Sequence, residues 1–238
     1  MKEVELTWQQ VVNNCEDFAD NVGTGDYYEW ASWVIDRAWG AGRKTEVDIR
    51  GVVSGIMILE YSWNDMFYEN GLFQRAELEK CIEKHRGIIN RFRRRDLKLT
   101  KRDEKVVQLI FKDFLEGLKN CSSGLRSPVA VAKCLHLLAP RFFPLWDNAI
   151  AKGTGYHWGS PVNPETAAKC YTDFMKHIQK MLMQVEGDFM QQSGLLPTIV
   201  RDAMVKEYEG QTYAGKTMLK LMDEYLYVEY TRPKWKRR

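Results

Sequence analysis

The sequence of 238 residues lacks the features that mark several classes of protein. It has no run of about 18 apolar residues, the length that a transmembrane helix requires. Its first ten residues, MKEVELTWQQ, are too acidic and polar for a signal peptide or a transit peptide. We therefore expect a protein that works in the cytoplasm and does not enter a membrane.

Cysteine and histidine are scarce and scattered. The five cysteines include no C-x-x-C pair, and the four histidines form neither an H-x-x-x-H nor an H-E-x-x-H spacing. This pattern favours reduced thiols over a disulfide framework or a zinc knuckle. Cys81 and His85 lie one helical turn apart, but two ligands make only half a metal site. We predict no metal and no cofactor.

Strand signals are also missing, since no segment alternates apolar and polar residues over six positions and no Asn-Gly turn occurs. Almost every segment has a helical period instead, and no linker is long enough to divide the chain. We predict one all-α domain over 1–238. The expected helices cover about 7–21, 26–39, 45–62, 75–94, 100–119, 127–138, 147–152, 164–192, 197–209 and 212–230.

Positive charge is concentrated in two places, although the formal net charge is only +3. Residues 91–105, RFRRRDLKLTKRDEK, contain eight Lys or Arg against three acids, and the last seven residues, RPKWKRR, contain five and no acid. Such clusters are typical of proteins that bind a phosphate backbone. A solvated helix end followed by a frayed tail explains the same runs, and both interpretations stay open.

The segment SPVAVAKCLHLLAP predicts a buried helix that begins at Ser127 and Pro128. Lys133 and His136 lie about 60° apart on this helix and form one narrow polar stripe. On general grounds we expect this lysine to extend to water. The alternative is a desolvated lysine with a lowered pKa, which would leave some free amine for nucleophilic attack.

The next loop, PRFFPLWD, is held by two prolines and by large apolar side chains, so Asp147 is expected to have a fixed position. An Asp before NAIAKG is a natural helix cap. A carboxylate at a helix start can also remain ionised in an apolar cleft, because the free N–H groups stabilise its charge. The two roles are compatible.

A lysine in an apolar helix, a proline-containing aromatic loop and an Asp that opens the next helix resemble the helix-hairpin-helix superfamily of DNA glycosylases. The similarity runs from about Gly124 to Gly153, within a hairpin and catalytic segment of about 121–155. The usual L-P-G-V-G hairpin is replaced by CSSGLRSPVAVAK, as in divergent members similar to the archaeal 8-oxoguanine DNA glycosylases. The resemblance implies a two-lobed helical fold with a cleft between the lobes.

The resemblance further implies cleavage of an N-glycosidic bond in double-stranded DNA after the target base has been flipped out of the helix. Asp147 would stabilise positive charge on the sugar and orient the nucleophile. Water is the nucleophile in a monofunctional enzyme, which we favour, whereas Lys133 would form a Schiff base in a bifunctional one. Lys133 lies one helical turn later than the lysine of bifunctional relatives, so its match is looser.

We expect the protein to act as a monomer. The remaining expected contacts with DNA follow from residue type and position. A base or its sugar would meet aromatic and polar side chains, namely Trp146, His136, Tyr156, Trp158, Tyr27 and Tyr28. For Trp30, Trp33 and Trp39 we favour core packing, and for His136 a satisfied core position. The DNA backbone would contact Arg91, Arg93, Arg94, Arg95, Lys98, Arg126 and Lys152.

The substrate stays open between two classes of base. Abundant aromatic residues slightly favour a bulky modified cytosine, as in phage DNA, over an oxidised purine that is removed in repair. Two other functions also explain the sequence. One is a non-catalytic helical adaptor that binds nucleic acid, in which Asp147 is only a cap. The other is a small-molecule enzyme or protein-interaction domain with incidental basic clusters.

Overall fold

Helices make up the regular structure of the chain. The computed structural model describes residues 6–22, 26–40, 47–69, 71–197, 199–209 and 216–232. Within these ranges it contains eleven α-helices, one π-helical turn and no strand, so the predicted all-α class is confirmed. The elements are α1 (Trp8–Asn21), α2 (Asp26–Ala38), α3 (Ile49–Trp63), α4 (Asp65–Tyr68), α5 (Arg75–Arg93), α6 (Lys101–Gly117), α7 (Pro128–Leu138), α8 (Asn148–Gly153), α9 (Pro164–Ser193), α10 (Val200–Glu209), α11 (Met218–Leu226) and the π turn (Tyr227–Thr231).

Most predicted helices begin and end within a few residues of the observed ones. Helix α3 was expected from residue 45 and begins at Ile49, and 45 and 46 lie outside the described residues. Two features were not predicted, the short α4 and the change from α11 to the π turn. The expected helix over 212–230 is thus α-helical only for Met218–Leu226, and 212–215 lie outside the described residues.

The capping residues explain why the starts were predictable. Thr100 accepts from the backbone N–H of Asp103, whose carboxylate accepts in return from the Thr100 N–H, which completes a capping box. Ser127 accepts from the N–H of Ala130. Asn163 caps α9 in the same way, with a proline at the first helical position. Each cap satisfies an N–H group that the helix itself leaves without a partner.

A tight turn joins α6 to α7, where the divergent hairpin was predicted. The Asn120 carboxamide oxygen accepts from the N–H groups of Ser122 and Ser123, both at 2.9 Å. Gly124 closes the turn with a φ of 71°, a left-handed conformation that favours glycine. Leu125 follows and is exposed. The turn places α7 deep in the molecule, where all of its residues are buried.

Close backbone packing between α2 and α3 depends on Gly55. A Cβ atom at this position would lie 2.5 Å from Ile35 Cγ1 and 3.0 Å from the carbonyl oxygen of Ala31. The two helices therefore approach more closely than any residue with a side chain would allow. This contact fixes the aromatic face of α2 relative to the C-terminal end of α3, where the site described below begins.

The apolar core is continuous from α1 to α11 among the described residues. Its centre is aromatic: Trp146 packs against Trp158 with ring centroids 4.7 Å apart and against Phe174 at 5.7 Å. Tyr171 contacts the same cluster and donates its hydroxyl hydrogen to the Pro144 carbonyl at 2.8 Å. No described helix is both long enough and apolar enough to cross a bilayer.

Candidate active site

Asp147 caps α8 and is held at both carboxylate oxygens. Its Oδ1 accepts from the N–H of Ile150 at 2.6 Å, and its Oδ2 accepts from the Thr231 hydroxyl at 2.8 Å. Thr231 belongs to the π turn, so the last described segment of the chain also holds this carboxylate. The side chain is therefore both a cap and a carboxylate of defined position, and the two expected roles are compatible in the structure.

Burial dominates the electrostatics of Asp147. Desolvation raises the pKa of its carboxyl group above the usual value, and the nearby Asp223 carboxylate raises it further. The hydrogen bonds from Ile150 and Thr231 lower this pKa but do not outweigh burial. Asp147 is thus a carboxylate that accepts a proton more readily than an exposed Asp, which suits a group that must take a proton from water.

Lys133 is desolvated, because the residue is only 9% exposed. Its Nζ donates to the Trp63 carbonyl oxygen at 2.8 Å and to Asn64 Oδ1 at 3.0 Å. The ammonium also lies 5.5 Å from the centre of the Trp63 ring. Burial lowers the pKa of this amine, while the carboxylates of Glu60, Asp147 and Asp223 raise it. The favoured interpretation, extension to water, is therefore wrong, because the amine is held inside the protein by Trp63 and Asn64.

His136 is a satisfied core histidine. Its Nδ1 lies 2.8 Å from the Phe143 carbonyl oxygen, which only accepts, so this nitrogen carries the proton. Its Nε2 therefore accepts from the Tyr28 hydroxyl at 2.7 Å. Burial lowers the pKa of the ring to about 4, which keeps it neutral. Both nitrogens are occupied inside the protein, so the expected contact of His136 with a substrate is not supported.

Lys220 is a second buried lysine, and the sequence analysis missed it. Its Nζ donates to Asp223 Oδ2 at 2.8 Å and lies 3.6 Å from Glu224 Oε1. Three aromatic rings surround the ammonium at 5.2 to 5.4 Å, those of Phe18, Tyr28 and Trp63. The three rings belong to α1, α2 and α3, which are distant in sequence from Lys220. The only local signal is a lysine three and four residues before two acids in the segment LKLMDEYL.

Three of the six predicted base contacts are aromatic residues that the structure buries. Trp146 and Trp158 are packed in the core, and Tyr28 is buried with its hydroxyl group hydrogen-bonded to His136. Trp146 and Trp158 cannot flank a base without unpacking the core, so their expected role as direct base contacts is corrected. Tyr28 is also buried, but it forms part of the wall of the groove described next. Tyr156 is half-buried beside Phe174.

The exposed rings lie on α2 instead. Trp30 and Trp33 are 60% and 58% exposed, and Tyr27 is 52% exposed. This differs from the core packing expected for Trp30 and Trp33, whereas Trp39 is buried as expected. Both tryptophans line an open groove of about 720 Å³ whose wall also includes Tyr28 and Lys220. The groove therefore connects solvent with the buried Lys220 cluster.

The predicted DNA contacts divide into exposed and internally engaged cations. Arg93 donates to the Leu138 carbonyl oxygen at 2.7 Å and also pairs with Asp36, so it caps the C-terminal end of α7. Arg95 binds Asp103 at 3.1 Å, and Arg126 binds Glu116 at 2.6 Å. The exposed members of the set are Arg91, Arg94, Lys98 and Lys152, and of these Arg91 also pairs with Asp103 at 3.5 Å. In the basic tail, Arg232 pairs with Asp17, and 233–238 lie outside the described residues.

The site as a whole brings together two of the predicted residues and adds others. The Asp147 carboxylate raises the pKa of Lys133, and the Asp223 carboxylate raises the pKa of both groups. Within the described ranges, no three His, Cys, Asp or Glu side chains are arranged to hold a metal ion. Searches for related proteins give no match to any family model, any curated protein or any solved structure.

Proposed function

We propose that the protein is a DNA glycosylase, acting as a cytoplasmic monomer on double-stranded DNA with Asp147 as its catalytic carboxylate. One observation carries the proposal. A desolvated lysine and a doubly held carboxylate lie within electrostatic reach of each other, on the two helices that flank the aromatic loop. This is the arrangement that the resemblance to helix-hairpin-helix glycosylases predicts for the residues that act on the sugar.

The reaction follows from the position of the Asp147 carboxylate. As the bond between C1′ and the base breaks, the electron pair leaves with the base and positive charge develops on the deoxyribose ring. An ionised Asp147 stabilises that charge and accepts a proton from the water that attacks C1′. The leaving base takes up a proton from solvent, the Asp147 carboxyl group returns its proton to solvent, and the products are the free base and an abasic site.

Water is the preferred nucleophile because the Lys133 amine is already engaged. Its two hydrogen bonds, to Trp63 and Asn64, must be broken or lengthened before the nitrogen can reach a sugar carbon. Lyase chemistry through Lys133 is therefore the secondary activity in this proposal. It predicts a covalent adduct only where the amine is free of its proton.

The groove beside Trp30 and Trp33 favours a bulky modified base over an oxidised purine. Exposed rings stack readily on bases or on sugars, and both tryptophans line this groove, whose described lining does not include Asp147 or Lys133. We propose a modified cytosine of phage DNA as the first substrate to test. Exposed cations at Arg91, Arg94, Lys98 and Lys152 are the proposed contacts with the backbone.

The deciding experiment measures base release by mass spectrometry over DNAs with different modified bases, including phage DNA. Asp147→Asn is the informative variant. Asn is as good a helix cap as Asp, so α8 should persist while the negative charge is lost. We expect base release to disappear while the folded structure and DNA binding are retained.

A matched control distinguishes the loss of the Asp147 charge from the loss of charge at a helix cap elsewhere in the protein. Asp48 caps α3 by accepting from the Gly51 N–H at 3.0 Å and is exposed. Asp48→Asn should leave base release unchanged. Equal activity in Asp147→Asn and wild type would refute the catalytic role. Tight, salt-sensitive DNA binding with no base released from any substrate would favour the adaptor function instead.

Borohydride trapping tests the secondary activity. A covalent protein–DNA adduct that is lost in Lys133→Ala indicates lyase chemistry, and the absence of any adduct indicates that water alone attacks. Because this assay reports the lysine and the release assay reports the carboxylate, the two roles are tested independently.

A further inference from the structure

Glu60 is a buried carboxyl group that the proposed reaction does not use. It lies on α3, one helical turn before Asn64, and none of its surface is exposed. Its Oε2 accepts from the Asn64 side-chain amide, whereas its Oε1 has no hydrogen-bond partner within the described part of the chain. A buried carboxylate with one bare oxygen is costly, so this position calls for a physical explanation.

Asn64 connects this carboxyl group to Lys133. The Asn64 amide nitrogen donates to Glu60, and the oxygen of the same carboxamide accepts from the lysine Nζ at 3.0 Å. No Glu60–Lys133 ion pair within 4.0 Å occurs among the described residues. The acid and the amine are therefore held close to each other by a shared partner without direct contact.

We propose that Glu60 is a positioning residue for Lys133 and that its buried carboxyl group controls when the amine loses its proton. While Glu60 is ionised, its charge holds the proton on the ammonium. When an O–H bond forms on Glu60 with a proton from solvent, that charge is lost and an N–H bond of the ammonium breaks more readily, its proton passing to solvent. A charged pair thus becomes a neutral pair, the net charge of the interior does not change, and the bare Oε1 is the atom available to the proton.

The direction of both pKa shifts agrees with this exchange. Burial raises the pKa of Glu60 to about 7, opposed by Lys133 and Asn64. Burial lowers the pKa of Lys133, opposed first by Glu60. The two groups thus approach each other in proton affinity, which makes the neutral pair accessible near neutral pH.

Other groups also face the pair and set its electrostatic surroundings. Asp147, Asp223 and Asp65 raise the pKa of the lysine, from the start of α8, from α11 and from α4. Near the carboxyl group lie the Tyr68 hydroxyl and the Cys134 thiol. Burial and the Glu60 charge raise the pKa of both, so they stay neutral. Among the carboxylates that act on Lys133, Glu60 raises the pKa of the amine most, so removal of the Glu60 charge should lower that pKa most.

The test measures the titration of Lys133 in the whole protein without DNA. Protein labelled with ¹³C-lysine gives NMR signals for the ε-methylene groups, and Lys133→Arg identifies the signal of this residue. We expect the wild-type signal to titrate below the usual lysine pKa of about 10.4. In Glu60→Gln, which removes the opposing charge and keeps the shape, the titration should move about one pH unit lower.

Glu224→Gln is the matched control, since Glu224 is equally buried and lies beside Lys220 instead. It should lower the titration of Lys220 and leave that of Lys133 in place. Should Glu60→Gln not fold, Asn64→Ala serves as the second variant and should also lower the Lys133 titration, because the ammonium loses an acceptor. A Lys133 titration at the ordinary value, or one that neither variant moves downward, overturns the proposal.

The inference deepens the proposed function but can fail separately from it. Lysine titration needs no substrate, so a protein that releases no base can still show the Glu60 effect. Conversely, base release that depends on Asp147 can coexist with an ordinary lysine at position 133. If lyase activity is present, Glu60→Gln should extend borohydride trapping toward lower pH, a change of pH profile that a merely structural role would not produce.

Discussion

The neutral state of His136 predicts a specific dependence of stability on pH. In the folded protein the ring donates to the Phe143 carbonyl, accepts from the Tyr28 hydroxyl and has a pKa of about 4. In the unfolded chain its pKa returns to about 6.5. Since the unfolded state then binds more protons, the contribution of this group is complete above about pH 6.5. It is lost as the pH falls toward 4.

The magnitude follows from these two pKa values. At about 1.36 kcal/mol for each pH unit, the difference between about 6.5 and about 4 corresponds to about 3.4 kcal/mol once the pH is below both. Between pH 7 and pH 5 the loss amounts to about 2 kcal/mol. Screening by solvent does not reduce this free energy, because the ring of His136 is fully buried.

The assay compares urea unfolding of the wild type and His136→Gln by circular dichroism at pH 7, 6 and 5. Glutamine can donate to Phe143 and accept from Tyr28 but does not titrate. The difference in unfolding free energy between the two proteins isolates the histidine, since all other groups cancel. We expect the advantage of the wild type to shrink by about 2 kcal/mol between pH 7 and pH 5.

A half-buried histidine supplies the control for this measurement. His157→Gln should change the pH dependence much less, because this residue is less buried than His136, which has no exposed surface. A wild-type advantage over His136→Gln that stays constant from pH 7 to pH 5 would refute the assignment of a buried, neutral ring. It would also remove the reason for excluding His136 from contact with a ligand.

Three further predictions concern the carboxylate, the DNA contacts and the packing. Thr231→Val removes a hydrogen bond to Asp147, so the pKa of that carboxyl group should rise. The acid limb of the pH profile of base release should then move to higher pH, and an unchanged limb would contradict this prediction. Arg94→Ala and Lys98→Ala should each reduce the slope of log K against log salt by about 0.9 without lowering Tm, and an unchanged slope would remove that residue from the interface. Gly55→Ala should lower the unfolding free energy by about 1 to 3 kcal/mol in urea denaturation, and wild-type stability would show that α2 and α3 can separate freely.

The sequence predicted local structure well because the signals for helix ends are local. Thr100, Ser127 and Asn163 each cap a helix at the expected position, since a cap is recognised by its own side chain and the next three residues. Asp147 was assigned as a cap by the same rule. The π turn had no such signal, because the residues Tyr227–Thr231 are equally compatible with an α-helix.

Burial was harder to predict, because it depends on which elements cover a side chain. Trp30 and Trp39 have the same residue type and lie at the two ends of one aromatic segment, yet one is exposed and the other is in the core. Hydrophobicity indicates which residues can be buried, but it does not indicate which faces of a helix are covered by another element. Lys220 escaped notice for the same reason, since its three rings come from α1, α2 and α3.

The contrast between the two buried lysines is the strongest reason to look for chemistry at Lys133. Lys220 has a direct ion pair with Asp223, and its pKa is raised above the usual value despite full burial. A paired charge of this kind is stable and unreactive. Lys133 is held by a carbonyl and a carboxamide, and its pKa is lowered. The interior thus pairs one lysine with a carboxylate and gives the other no direct ion pair within the described part of the chain, and Asp147 is among the carboxylates that raise the pKa of this second amine.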